Sequence, residues 1–144
     1  MEGVYIKFAI KSAFKLHYIE YRSWEFGVIK KKFPKDAKIG IIGDFGTGLS
    51  DSIRLLKHMI LEKKVDIIIH LGDVYYAGTP EEYQDNVLKP LNKLRIVAKR
   101  EVIFYSIPGN HDYYSWGLPY LCFIKEVNSD EFVRQEASYF CLRC

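Results

Sequence analysis

Lys38-Ile39-Gly40-Ile41-Ile42-Gly43-Asp44-Phe45-Gly46 is the stretch that decides the fold. A short β-branched apolar run stops at a glycine and is followed at once by a carboxylate. That is the pattern of a strand buried on both faces that ends in a polar turn. Moving outward, Val65-Asp66-Ile67-Ile68-Ile69 predicts a second buried strand, and Glu101 to Ile107 predicts a third. Between the first two, Ile53, Leu56, Met59 and Ile60 fall on one helical face, with Ser50, Asp51 and Ser52 as candidate N-caps. Between the second and third, Pro80-Glu81-Glu82 opens a helix whose apolar positions are Val87, Leu88, Leu91 and Leu94. Strand, helix, strand, helix, strand predicts an α/β fold with a parallel sheet and right-handed crossovers. Leu118 to Val127 is expected to be helical, and Ser138 to Cys144 to begin a further strand.

Composition supports a globular domain. The 144 residues are 49% hydrophobic, 27% charged and unusually aromatic at 15%, which excludes a disordered or collagenous chain. No apolar run reaches the roughly 18 residues of a membrane span, and no secretory h-region is visible, so no membrane partner is expected. The net charge of +3 is uneven. Residues 1–35 carry 8 Lys/Arg against 3 Asp/Glu, and residues 36–144 carry 13 against 15. The basic excess therefore belongs to a basic aromatic leader over residues 1–35, read as a short helix or irregular cover ending at Pro34. It is not a nucleic-acid-binding stripe. Cys122, Cys141 and Cys144 form no disulfide framework, and a cytoplasmic location is expected. Cys141-x-x-Cys144 alone cannot close a four-ligand zinc site. Lys30 to Lys32 reads as a solvated face, and His17 and His58 as surface residues.

In an open α/β sheet, ligands bind beyond the carboxyl ends of the strands. Each predicted strand here ends in a polar cluster: Gly43-Asp44-Phe45-Gly46, Gly72-Asp73-Val74-Tyr75-Tyr76 and Pro108-Gly109-Asn110-His111-Asp112. The clusters are separated by one crossover each, so they are expected to meet at one sheet edge. Asp44 and Asp73 offer anionic oxygens, Asn110 an amide oxygen and Tyr76 a phenol, a donor set for hard cations. His70, inside the second strand, reads as a satisfied core histidine. Asp112 is expected to orient His111 or cap a turn. The glycine spacing after the first strand matches neither a P-loop nor a dinucleotide fingerprint.

The three clusters GDFG, GDVYYAG and GNHD, in this order, resemble the first three motifs of the calcineurin-like metallophosphoesterases. Tyr76, three residues after Asp73, resembles the purple acid phosphatase branch. The resemblance spans roughly residues 36–144 and implies the N-terminal βαβαβ half of an α/β/β/α sandwich. It implies two metal ions, Fe3+ with Zn2+, Fe2+ or Mn2+. Asp44 and Tyr76 would bind the first, Asp73 would bridge, Asn110 would bind the second, and Tyr75 would pack. His111 would be catalytic, stabilising the phosphoryl group and protonating the leaving group. The implied reaction is hydrolysis of a phosphate ester, on a small molecule or a phosphoprotein. The later family motifs, a lone His and Gly-His-x-His, have no counterpart among His17, His58, His70 and His111. The domain is therefore expected to be incomplete, and the alternative is a catalytically inactive fragment that binds one ion weakly or none.

Overall fold

The computed structural model describes residues 24–143, and the secondary structure follows the predicted order closely. A 3-10 turn at Trp24–Gly27 leads into β1 (Val28–Lys32). Then come β2 (Ile39–Ile42), α1 (Ser50–Lys57), β3 (Ile67–His70), α2 (Pro80–Glu82), α3 (Lys89–Ala98), β4 (Ile103–Ser106), α4 (Leu118–Glu126) and β5 (Cys141–Arg143). β2, β3 and β4 form a parallel sheet in that order, and β1 pairs with β5, also in parallel, in a second sheet. Among the described residues no helix is long and apolar enough to cross a membrane.

Two boundaries differ from expectation. The reading of residues 1–35 as helix or irregular cover fails at Val28–Lys32, which forms β1. Lysines at three of its five positions hid the strand, yet Ile29 is buried while Lys30 and Lys32 face solvent, the period-2 alternation of a covered strand. The rest of that leader up to residue 23, with His17, lies outside the described residues, as does Cys144. The serine caps expected for α1 are also not used. The N-cap is Leu49, and Thr47 supplies the local hydroxyl, accepting from the Leu49 N–H at 3.2 Å.

The central sheet has two different faces because successive strand residues point to opposite sides. Ile68 and Phe104 face α1, the second crossover helix and α4, packing against Leu56, Ile60, Val87, Leu91, Phe123 and Ile124. All three helical layers lie on this one side. Ile67, Ile103 and Tyr105 face the other way and meet Ile29, Phe33, Phe140 and Leu142 around β1 and β5. Each fully buried Leu, Ile or Phe here stabilises by about 1.5–3 kcal/mol, so this double-sided burial holds the sheet. The second sheet covers β3 and β4 better than β2. Among the described residues Ile39 and Ile41 stay 50% and 65% exposed.

Polar clamps finish the sheet. Asp66 accepts from the Lys38 N–H at 2.9 Å, aligning the starts of β2 and β3. β4 is an edge strand, and its edge is closed by side chains. The Asn128 amide accepts from Phe104 N at 3.0 Å and donates to Phe104 O at 2.9 Å, as a neighbouring strand would. Gln135 accepts from Ser106 N at 2.9 Å and donates to Ser106 O. The second crossover helix opens with a Thr79–Glu82 capping box and widens to a π-turn over Tyr83–Leu88. Pro90 lies just beyond the wide turn. It has no N–H to offer the preceding turn and its ring crowds the carbonyl four residues back, which a wider turn relieves.

Candidate metal centre

The last paired residues of the three strands stand in one row: Ile42 opposite His70, and His70 opposite Ser106. The polar clusters therefore leave the sheet at the same edge and side by side. The loops after β3 and β4 meet without clearance. A Cβ on Gly72, which has φ +95°, would strike the backbone of Gly109. Gly46 and Val74 form an isolated parallel bridge, and Tyr75 N donates to Gly46 O at 2.9 Å.

The two candidate ligand aspartates both adopt left-handed backbone, φ +52° at Asp44 and +68° at Asp73. Aspartate tolerates this region better than most residues, and a non-glycine residue held there marks a loop determined by its surroundings. Asp44 N donates to Gly72 O at 3.2 Å. Asp44 Oδ1 accepts the Tyr75 hydroxyl. Asp73 Oδ1 accepts from His111 N at 2.9 Å. The Tyr75 ring lies 4.6 Å from the His111 ring. Asp44, Asp73 and His111 are thus joined by direct contacts, through Tyr75 on one side and a backbone N–H on the other.

His111 is oriented by the carbonyl of Tyr76, 2.7 Å from Nδ1. A carbonyl only accepts, so Nδ1 carries the hydrogen and Nε2 is the free end of the ring. Tyr76 is 65% exposed, with its ring 5.4 Å from His111, and Tyr114 lies 4.6 Å away on another flank. Asn110 is exposed, and its amide nitrogen donates to the Tyr114 hydroxyl at 2.9 Å, which directs its carbonyl oxygen elsewhere. The structure brings Asp44, Asp73, Tyr76, Asn110 and His111 to one edge. The tyrosine hydroxyl on Asp44 belongs to Tyr75, expected only to pack. The hydrogen bond to the Asp44 carboxylate, first of all, and then partial burial push the Tyr75 phenol up to about 12.

Asp112 does not orient the His111 ring. It caps the turn: it is 1% exposed and accepts from Asp73 N at 2.8 Å, Val74 N at 3.3 Å, Gly109 N at 2.7 Å and the Tyr83 hydroxyl. His70 is buried as expected but only half satisfied. Nδ1 lies 3.1 Å from Ser106 Oγ, and Nε2 has no partner. Burial lowers its pKa to about 4, against the raising influence of Asp112, Asp73 and Asp44. Sequence reasoning missed Glu82, whose carboxylate accepts from Tyr76 N, Ala77 N and Thr79 N and shapes the loop carrying Tyr76. The capping-box spacing Thr79-x-x-Glu82 was the available signal.

The calcineurin-like phosphoesterase family model matches residues 37–141, from just before β2 to the start of β5. This chain belongs to the calcineurin-like phosphoesterase family. The matched stretch contains all three strand-end clusters and the fold is the corresponding partial α/β arrangement. The family is one of metal-dependent phosphoesterases, which agrees with oxygen donors gathered at a strand edge. No curated protein and no solved structure matches the chain.

The donor set fits a calcineurin-like phosphoesterase metal in kind and falls short in number. Two carboxylates, an amide oxygen and phenols suit a hard cation. Among the described residues, no three His, Cys, Asp or Glu side chains cluster closely enough to hold an ion by themselves.

Proposed function

We propose that this chain carries the N-terminal part of a phosphomonoesterase centre of the purple acid phosphatase type. The observation that carries this reading is the contact chain Asp44–Tyr75–His111–Asp73 at the end of three aligned parallel strands. Asp44 and Asp73 would hold a metal with the Asn110 amide oxygen and the Tyr76 phenol, and Asp73 would be shared between two ions, one of them ferric iron. When bound, such metals supply Lewis-acid polarisation of the phosphate and an activated water. The chain's own residues supply the rest. His111, its Nδ1–H held by the Tyr76 carbonyl, would act as the imidazolium, with Nε2–H stabilising the phosphoryl oxygens and then passing its proton to the departing alkoxide. The exposed rings of Tyr76 and Tyr114 flank His111 and favour a phosphate ester with a flat leaving group, on a small molecule or a phosphorylated side chain.

One observation favours a second reading. Among the described residues no three His, Cys, Asp or Glu side chains gather as a group that could hold an ion, and on this second reading the chain on its own would hold one ion weakly or none and not turn over. Calorimetric titration with Mn2+, Zn2+ and Fe3+, beside p-nitrophenyl phosphate hydrolysis, separates the two. Turnover lost in His111→Ala with the ion retained supports the first reading. One bound ion without turnover supports the second. Absence of any ion in wild type, again without turnover, also supports the second and removes the first.

A further inference from the structure

Two side chains of the second crossover helix reach into the strand-end loops, and neither belongs to the metal donor set. Asn86 Nδ2 donates to Gly46 O and to Tyr75 O, both at 3.0 Å. One amide group thus joins the loop that carries Asp44 to the loop that carries Asp73, Tyr75 and Tyr76. Three residues earlier, Tyr83 donates its hydroxyl to Asp112, the carboxylate that caps the backbone of Asp73, Val74 and Gly109. Both sit on the wide turn Tyr83–Leu88.

We infer that Asn86 is a positioning residue for the candidate centre, acting with Tyr83 to set the spacing of the three motif loops. The inference rests on the metal-centre reading for its purpose, but the coupling of loops is a property of the chain itself. Each loop leaves a separate strand, so the strand row fixes only where each begins. The distance between the Asp44 and Asp73 carboxylates depends on how the loops lean on each other. The Gly46–Val74 bridge is one tie between them, and Asn86 braces both sides of it. Its Oδ1 side is closed by Gly48: a Cβ there would lie 2.6 Å from Asn86 Oδ1, so a residue with φ +71° and no side chain gives the amide its place. An amide with both N–H groups committed to carbonyls has a single orientation, which a hydrophobic contact would not impose. Wide helical turns recur where a helix must aim particular side chains, and this one aims both residues at the same loops.

The test compares wild type, Asn86→Ala and Asn86→Asp in the full 144-residue chain. Asp matches Asn in volume but places an oxygen where the two carbonyls need donors. Amide hydrogen exchange without metal reads the coupling, and Mn2+ affinity by calorimetry reads its consequence. Losing both N–H donors should speed exchange at Asp44 and Tyr75 about tenfold or more, with Ile67–His70 unchanged, equally in Ala and Asp variants. Mn2+ affinity should fall about tenfold in both variants. Packing alone would leave the Asp variant like wild type, and a merely structural role would speed exchange at all amides in step with global stability; either result overturns the inference. If wild type binds no Mn2+, the metal-centre reading fails, and the exchange pattern still decides whether Asn86 couples the loops.

Discussion

The backbone N–H of Asp73 lies 2.8 Å from Asp112 Oδ2, so the third motif holds the peptide on which the second motif's carboxylate is mounted. The reverse tie also exists, from His111 N to Asp73 Oδ1 at 2.9 Å. The two loops are built on each other, and a change in either is felt by both.

Asp112 is the first test of this. Truncation by Asp112→Ala would leave three backbone N–H groups and the Tyr83 hydroxyl without their acceptor in a buried place. Stability should fall by about 3 kcal/mol or more. Asp112→Asn keeps the volume but turns a donor toward donors, and should cost about 2 kcal/mol. Urea unfolding of the two variants checks both values, and an unfolding free energy within error of wild type would contradict the capping role.

Gly72 and Gly43 should respond unequally to alanine. Gly72 combines φ +95° with a Cβ position that collides with Gly109, so Gly72→Ala should lose more than about 2 kcal/mol. At Gly43 a Cβ would meet Leu71 Cβ at 3.5 Å, an ordinary contact, and Gly43→Ala should stay within about 1 kcal/mol of wild type. Thermal unfolding of the pair measures the contrast directly.

Stability should fall as pH drops through the range where His70 titrates. Burial depresses its folded pKa to about 4, below the ordinary 6.5, so the unfolded chain binds the proton first. The contribution is complete above pH 6.5 and is lost progressively down to about pH 4, up to about 3 kcal/mol in all. His70→Leu should flatten the slope of unfolding free energy between pH 7 and 5. An unchanged slope in that variant would place the pH dependence elsewhere.

Tyr75 and Tyr76 should separate spectroscopically. A phenol that donates its hydrogen to Asp44 stays protonated, whereas a phenol bound to ferric iron ionises and absorbs visible light. In the iron-loaded protein, Tyr76→Phe should abolish the visible band and Tyr75→Phe should retain it. The opposite pattern would make Tyr75 the ligand and Tyr76 a rim residue.

Where the sequence was legible, the reason was a local signal repeated. The apolar runs before Gly43, Gly72 and Pro108 revealed three parallel strands; β3 and β4 are covered on both faces and need no alternation, whereas β2, expected to be buried likewise, is covered on one face only and leaves Ile39 and Ile41 exposed. β1 stayed hidden because its lysines mask a strand covered on one side only. Asp112 and His70 were read as individual residues. Their surroundings come from chain positions 36 to 39 residues distant, Ser106 for one and Asp73 and Val74 for the other.

By itself the sequence determined the alternation of strands and helices from β2 to β4, the placement of Asp44, Asp73, Asn110 and His111 at strand ends, and the family those motifs share. Those features depend on hydrophobic runs, glycine positions and crossover length, all of which act within a few residues or one helix. Only the tertiary structure decided which tyrosine touches Asp44, that Asp112 binds backbone and not the His111 ring, and that Asn86 spans two loops. Those outcomes depend on the directions of side chains and N–H groups brought together from separate strands. Hydrogen bonds need donor and acceptor within about 3 Å and well aligned, and no local pattern in the chain encodes that alignment.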